Sequence, residues 1–171
     1  MNIFIVPSCI NAHQGAVNIE ERFNQTIITY DSIREKDPDS YIFAADNSLF
    51  ALNQSQIDTI TSKVDFFLNL QNDEATQNIN KIPNIHMAKG LGEGHMLYVS
   101  MLKLKEIFDF NNLKGRMFKL GGRCVFEPDF DIKRYDGYEG KYIFKSRKSW
   151  QGPGIYLIDT RMYSRSEEHT S

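Results

Sequence analysis

The stretch Ile3-Phe4-Ile5-Val6-Pro7-Ser8 decides the fold class. Its first four residues are apolar and three of them are β-branched, which is typical of a strand buried on both faces of a parallel sheet. Pro7 and Ser8 end the apolar run. We therefore predict a buried parallel strand over residues 2–9.

Helix and strand patterns alternate after this strand. The elements expected are, in order, a helix capped by Asn18 and Glu21, a strand over 41–45, a helix begun by Asn53 and Gln56, and a strand over 64–68. Each cap pairs an Asn with a Glu or Gln three residues later, a common pattern at helix starts. The β-α-β-α-β order with short connections predicts an α/β fold with a mostly parallel sheet.

The second half of the chain has weaker signals. The elements expected there are a polar surface loop over 71–85, a long helix after Gly90, Gly92 and Gly94, a strand over 115–126 broken by a glycine pair, and short strands around 142–144 and 155–157. The long helix carries one apolar stripe, which we assign to the core.

Composition limits the classes of partner. The chain has 171 residues with 20 Lys+Arg and 22 Asp+Glu, so its formal net charge of −2 gives no field that would attract nucleic acid. No apolar run is long enough for a membrane span, and the N-terminus does not resemble a signal peptide. Cys9 and Cys124 show no metal-ligand spacing. These features favour one cytoplasmic domain without nucleic-acid or membrane partners.

The last seven residues form a separate segment. Arg165–Ser171 resembles the translation of a sequencing adapter, whereas a genuine frayed polar terminus is the alternative. We therefore expect a native domain over 1–164 that is incomplete at its C-terminus, followed by a non-native polar tail over 165–171.

Polar residues follow the first two predicted strands. In open α/β sheets, ligands bind beyond the carboxyl ends of the strands, where Ser8, Asp46 and Asn47 are expected. The Asp46 carboxylate can accept hydrogen bonds from ribose hydroxyls or a base, and Asn47 can both donate and accept. An Asx turn that only caps the second strand is the alternative interpretation.

Two further segments are candidates for binding anions. Lys89-Gly90-Leu91-Gly92-Glu93-Gly94 would bring a helix N-terminus and a lysine to an anion, although it matches neither a Walker A loop nor a dinucleotide fingerprint. Lys119 and Arg123 flank Gly121-Gly122, and two cations beside a bare backbone suit a diphosphate. Structural glycines and solvated charges are the alternatives.

Metal ligands are poorly supported. Asp129-Phe130-Asp131 is an Asp-x-Asp pattern of the kind that chance produces in a chain this rich in Asp, and Asp37-Pro38-Asp39 is another. The histidines have no ligand spacing. A basic run follows at Lys141, Tyr142, Lys145, Arg147, Lys148 and Trp150, and we interpret it as solvated surface. A divalent metal is therefore possible but is not indicated by any well-placed acidic pair.

Several of these motifs together resemble a known family. The motifs are the Ile-Phe-Ile-Val strand, Glu21-Arg22-Phe23, Ser32-Ile33-Arg34, Pro38-Asp39-Ser40, Asp46-Asn47-Ser48 and Phe118-Lys119-Leu120-x-Gly122-Arg123. Over residues 2–148 the chain looks like nucleotide-diphospho-sugar glycosyltransferases of the GT-A type, in particular a group common in viral and bacterial polysaccharide loci. The resemblance implies a Rossmann-like, three-layer α/β/α fold.

The resemblance also implies roles for individual residues. Ser8 and Asp46 would line the nucleoside pocket, Lys89 and Glu93 would lie where the central helix begins, and Lys119 with Gly122 and Arg123 would approach the diphosphate. Two departures exist: Cys124 stands where the group has an aromatic residue, and the metal-binding acidic pair is missing from the expected strand end. Cationic side chains can instead stabilise the leaving diphosphate, which leaves metal dependence open.

Three hypotheses follow from these patterns. The leading one is a glycosyltransferase of polysaccharide biosynthesis that binds a nucleotide-sugar donor and transfers the sugar to a glycan or other hydroxyl acceptor. The second is a non-catalytic α/β interaction module, in which the same residues are caps, turns and core. The third is another Rossmann-type nucleotide enzyme, against which the missing Gly-x-Gly-x-x-Gly after the first strand argues.

Overall fold

The computed structural model describes residues 1–12, 18–137, 143–144 and 156–158, the last two ranges by their backbone alone. In chain order the elements are β1 (Ile3–Ser8), α1 (Ile19–Lys36), β2 (Tyr41–Asp46), α2 (Gln54–Thr61), β3 (Phe66–Asn69), α3 (Glu74–Asn80), α4 (Ile85–Ile107), β4 (Met117–Lys119), β5 (Ile143–Phe144) and β6 (Tyr156–Ile158), with a 3₁₀ turn at Ile132–Tyr135 between β4 and β5. Among these residues, no helix is long and apolar enough to cross a membrane.

The strands form one mixed sheet in the order β3-β2-β1-β4-β6-β5. Strands β1 to β4 run parallel to one another, whereas β6 runs antiparallel to both β4 and β5. The predicted α/β fold with a mostly parallel sheet is therefore confirmed. Because β1 lies between β2 and β4, the strand order reverses at the boundary of β1 and β4.

Both faces of β1 are buried, as its apolar run predicts. Phe4 and Val6 pack in the cluster that includes Tyr30 and Ile33 of α1. Ile3 and Ile5 pack on the other face with residues of α4. Helices therefore cover the sheet on two sides and form the expected three layers.

Local signals set the first helices. Asn18 caps α1 by accepting a hydrogen bond from the backbone N–H of Glu21 at 2.8 Å, and Asn53 forms a reciprocal capping box with Gln56 at the start of α2. Both predicted caps are confirmed.

Three predictions for the second half are wrong. Residues 71–85 are not a continuous loop, because they contain α3, which is capped by Asp73. α4 begins at Ile85 after its cap Asn84, so Gly90, Gly92 and Gly94 lie inside the helix rather than before it. The strand expected over 115–126 is limited to β4.

Candidate functional site

The candidate site is the edge of the sheet beyond the carboxyl ends of β1 and β4. In open α/β sheets, ligands bind beyond the carboxyl ends of the strands at such a reversal of strand order. After β4 the chain stays close to β1, because Leu120 N–H donates to Ile5 O at 3.0 Å and Gly122 N–H donates to Pro7 O at 2.9 Å. The segment after β4 is therefore held against the end of β1.

Gly122 is required by this close approach. A Cβ atom at residue 122 would lie 2.9 Å from the Cβ of Ser8 and 3.0 Å from the carbonyl oxygen of Pro7. Contacts of that length are too short for any side chain without backbone movement. The predicted site residues Ser8 and Gly122 are thus in direct contact.

The two cations after β4 have different surroundings. Lys119 is largely buried and its ammonium group forms an ion pair with the carboxylate of Glu93 on α4. Arg123 is exposed, and its guanidinium forms no ion pair or hydrogen bond with another of the described residues. The structure therefore brings Lys119 and Glu93 together and leaves the guanidinium of Arg123 available to an anion.

The two cysteines lie near Arg123, one after β1 and one after β4. Burial, together with the nearby charge of Asp46, raises the pKa of the Cys9 thiol to about 11, although the positive charges of Arg22 and Arg123 partly oppose the increase. Burial also raises the pKa of Cys124, against the effect of Arg123 and Lys119. Both side chains are thus neutral thiols at physiological pH.

Asp46 is fully buried at the end of β2 and its carboxylate is used within the protein. Oδ2 accepts hydrogen bonds from Ser8 Oγ at 2.7 Å and from Ile10 N–H at 3.1 Å, and Oδ1 accepts from Ser48 N–H at 2.9 Å. The last bond forms the Asx turn that was the alternative interpretation. Desolvation raises the pKa of Asp46, and its hydrogen bonds with Ser48, Ser8 and Ile10 oppose the shift. Asp46 therefore positions the Ser8 hydroxyl through a hydrogen bond.

Asn47 is buried beside Asp46 and lies against α4. Its backbone N–H donates to Ser8 O at 3.2 Å, and its side-chain nitrogen is 2.8 Å from the position that a Cβ on Gly92 would take. The side-chain oxygen Oδ1 has no hydrogen-bond partner among the described residues. Gly92 thus makes room for Asn47, and this contact explains one of the three helix glycines.

The glycine-rich segment does not act as an anion loop. Residues 89–94 are inside α4, where their backbone N–H groups belong to the helix interior rather than to its N-terminal turn. Lys89 is exposed on the helix, and Glu93 points to β4. The expected anion site at a helix start is therefore wrong, while contact of Lys89 and Glu93 with a substrate stays a prediction.

The contact between His95 and Asp73 was not predicted from the sequence. His95 Nε2 lies 2.7 Å from Asp73 Oδ2 and joins α4 to the cap of α3. A hydrogen bond from the Thr76 backbone N–H and the neighbouring His95 lower the pKa of Asp73, although partial burial opposes the shift. The two residues are far apart in sequence and no local spacing relates them.

Among the described residues, the Asp129-Phe130-Asp131 pattern leads into the 3₁₀ turn and forms no metal site. Asp131 accepts a hydrogen bond from Lys133 N–H at the 3₁₀ turn, and Asp129 lies 3.8 Å from Arg134. Within the described ranges, no three His, Cys, Asp or Glu side chains are close enough to hold a metal ion. The basic run over 141–150 and the tail over 165–171 lie outside the described residues, apart from the backbone of 143–144.

The chain matches no model of a known protein family, and no curated protein is significantly similar to it.

Proposed function

We propose that the protein binds a nucleoside diphosphate sugar at the boundary of β1 and β4 and acts as a GT-A-type glycosyltransferase. The observation that carries the proposal is the contact of Gly122 with Ser8 where the strand order reverses, with the exposed Arg123 next in the chain. Cations and a closely packed glycine at that place suit a diphosphate, and the motifs shared with the family point to the same ligand.

Arg123 would make the main contact with the diphosphate. Its planar guanidinium can donate two hydrogen bonds to one phosphate group, and it lies exposed beside Gly122 in sequence. Lys119 would add a second positive charge once a diphosphate competes with Glu93 for its ammonium group. These fixed cations would then stabilise the negative charge that develops on the leaving diphosphate.

The residues after β2 would complete the nucleoside side of the site. The side-chain oxygen Oδ1 of Asn47 is buried and has no hydrogen-bond partner among the described residues. A donor group on the ligand would satisfy this oxygen after a small displacement of the side chain. Asp46 would act indirectly by holding the Ser8 hydroxyl.

Calorimetric titration of the full chain with UDP, GDP and CDP, with and without Mg²⁺ or Mn²⁺, tests this proposal. We expect at least one diphosphate to bind, and Arg123→Ala to weaken binding about tenfold or more, the effect of losing one charge-assisted contact. Arg134→Ala is the matched control, because Arg134 is an exposed arginine on the 3₁₀ turn, away from this edge.

Two outcomes would overturn the proposal. One is the absence of heat with all three diphosphates from protein shown to be folded, which would favour the non-catalytic interaction module. The other is equal loss of affinity in the Arg123→Ala and Arg134→Ala variants, which would indicate a general charge effect rather than a site.

A further inference from the structure

The outward face of α4 carries a continuous apolar stripe. Its members are Met87, Leu91, Gly94, Tyr98 and Leu102, which follow one another at intervals of three or four residues and therefore lie on one side of the helix. The core residues Gly92, Met96 and Ser100 lie on the opposite side. The four large side chains of the stripe are 56%, 44%, 59% and 37% exposed, in chain order.

Such a stripe is unusual on a helix that already buries one face in the core. A surface helix normally presents charged and polar residues to water. Contiguous apolar patches of more than a few hundred Å² commonly mark interaction sites. Among the described residues, nothing covers Met87, Leu91 or Tyr98.

The glycines of α4 give a second, independent observation. Gly92 is explained by its contact with Asn47, but a Cβ at Gly90 or Gly94 would meet no atom within 4 Å. Each glycine inside a helix costs about 1 kcal/mol relative to alanine. Packing within the described part of the chain therefore does not account for Gly94, whereas close approach of another backbone would.

We propose that this stripe is the interface of a homodimer, in which α4 packs antiparallel against α4 of a second copy. The spacing of the stripe is self-complementary about Gly94. With a two-fold axis beside Gly94, Met87 faces the partner's Leu102 and Leu91 faces the partner's Tyr98. A two-fold interface requires this kind of reciprocal pairing.

The area of the stripe sets the expected strength. The exposed parts of the four large side chains supply on the order of 400 Å² per copy, about half of the ~800 Å² that each partner contributes to a standard interface. Flanking residues along the roughly 22 Å of helix between Met87 and Leu102 would supply the rest. The expected dimer therefore lies at the small end of specific interfaces, with a Kd of roughly 1–100 µM.

Sedimentation equilibrium of the full chain over a wide concentration range tests the proposal. We expect a reversible monomer–dimer equilibrium, and Leu91→Glu should raise the Kd at least thirtyfold, because each dimer would contain the buried charge twice. Ile28→Glu is the matched control: Ile28 is an apolar residue on α1 that is at least as exposed as Leu91, and its substitution should leave the Kd unchanged.

The Gly94→Ala variant distinguishes an effect on dimer affinity from an effect on folding stability. Its Cβ enters open space in one copy, so the variant should be more resistant to urea than the wild type. The same methyl group would separate the two helices and weaken the dimer about tenfold. The antiparallel register is tested by mixing the Met87→Cys and Leu102→Cys variants. The disulfide between the two variants should form faster than the disulfide between two copies of the same variant.

Each opposing result overturns the proposal. A chain that is monomeric at several hundred micromolar, or a dimer that Leu91→Glu and Ile28→Glu affect alike, contradicts it. So does a monomer that binds vesicles of phosphatidylcholine and phosphatidylglycerol through Leu91, because the stripe would then meet lipid rather than a second copy.

Discussion

The segments that follow β2 and β4 leave the same edge of the sheet but use their charged residues differently. At the end of β2, the carboxylate of Asp46 is buried and accepts hydrogen bonds from Ser8, Ile10 and Ser48. After β4, the guanidinium of Arg123 is exposed and has no ion pair with another described residue. A charge at this edge can therefore serve the fold or be available to a ligand.

The candidate residues therefore fall into two classes, according to whether their charged groups are paired within the protein. A charge whose hydrogen bonds are satisfied internally should affect stability when it is removed, whereas an exposed and unpaired one should affect binding alone. Asp46 belongs to the first class and Arg123 to the second.

The largest effect is expected for Asp46→Ala. The substitution leaves the buried N–H groups of Ile10 and Ser48 without their acceptor and removes the shorter of the two bonds of the Ser8 hydroxyl, which keeps the Ala45 carbonyl oxygen at 3.2 Å. The expected cost is about 4 kcal/mol in the free energy of unfolding. Urea denaturation followed by circular dichroism measures it. Asp58→Ala on the exposed side of α2 is the control. Equal losses of stability in the two variants would contradict the structural role of Asp46.

Gly122→Ala should destabilise by about 2 kcal/mol, since the added methyl group would overlap Ser8 and the Pro7 carbonyl oxygen. The same displacement moves Arg123, so this variant should also bind nucleoside diphosphates less tightly. Urea denaturation and calorimetry together check both effects. A variant with unchanged stability would mean that β1 and the segment after β4 are not in close contact.

Asp73→Ala extends the comparison to the segment after β3. Loss of the α3 cap should cost about 1 kcal/mol at neutral pH. Because the folded-state pKa of Asp73 is lowered, its contribution is present above its ordinary pKa and is lost as the pH falls through the lower folded value. Urea midpoints of wild type and variant should therefore converge in acid, and a gap that is constant with pH would argue against this electrostatic contribution.

Arg123→Ala should have the smallest effect on stability, within about 0.5 kcal/mol of the wild type. It should also slow the alkylation of Cys9 at a fixed alkaline pH, because the arginine partly lowers the thiol pKa. Mass spectrometry of iodoacetamide-treated protein gives that rate. Arg134→Ala should leave the rate unchanged, and faster alkylation in Arg123→Ala would contradict the arrangement.

The first half of the fold could be predicted because its signals are local. The apolar run of β1 and the caps at Asn18 and Asn53 depend only on neighbouring residues, and their structures agree with expectation. The start of α4 could not be predicted in this way. Its glycines resemble a loop, and the contact that explains Gly92 comes from Asn47, which is distant in sequence.

The candidate site was predicted in part for the same reason. The carboxyl ends of strands are visible in the pattern, so Ser8 and Gly122 were expected at one edge, where they meet. The ion pair of Lys119 with Glu93 and the contact of His95 with Asp73 join residues far apart in sequence. These pairs form because α4 packs against the sheet and against α3, and the sequence alone does not show that packing.

Amide chemical shifts test most directly whether a nucleoside diphosphate binds between β1 and β4. In two-dimensional ¹H–¹⁵N spectra of the labelled chain titrated with UDP, GDP or CDP, we expect shifts concentrated at Ser8, Asn47 and residues 120–124. Amides at the opposite edge, such as Gly115 and Arg116, should stay unchanged. Shifts concentrated at that opposite edge, or spread evenly over the surface, would contradict a diphosphate site between β1 and β4.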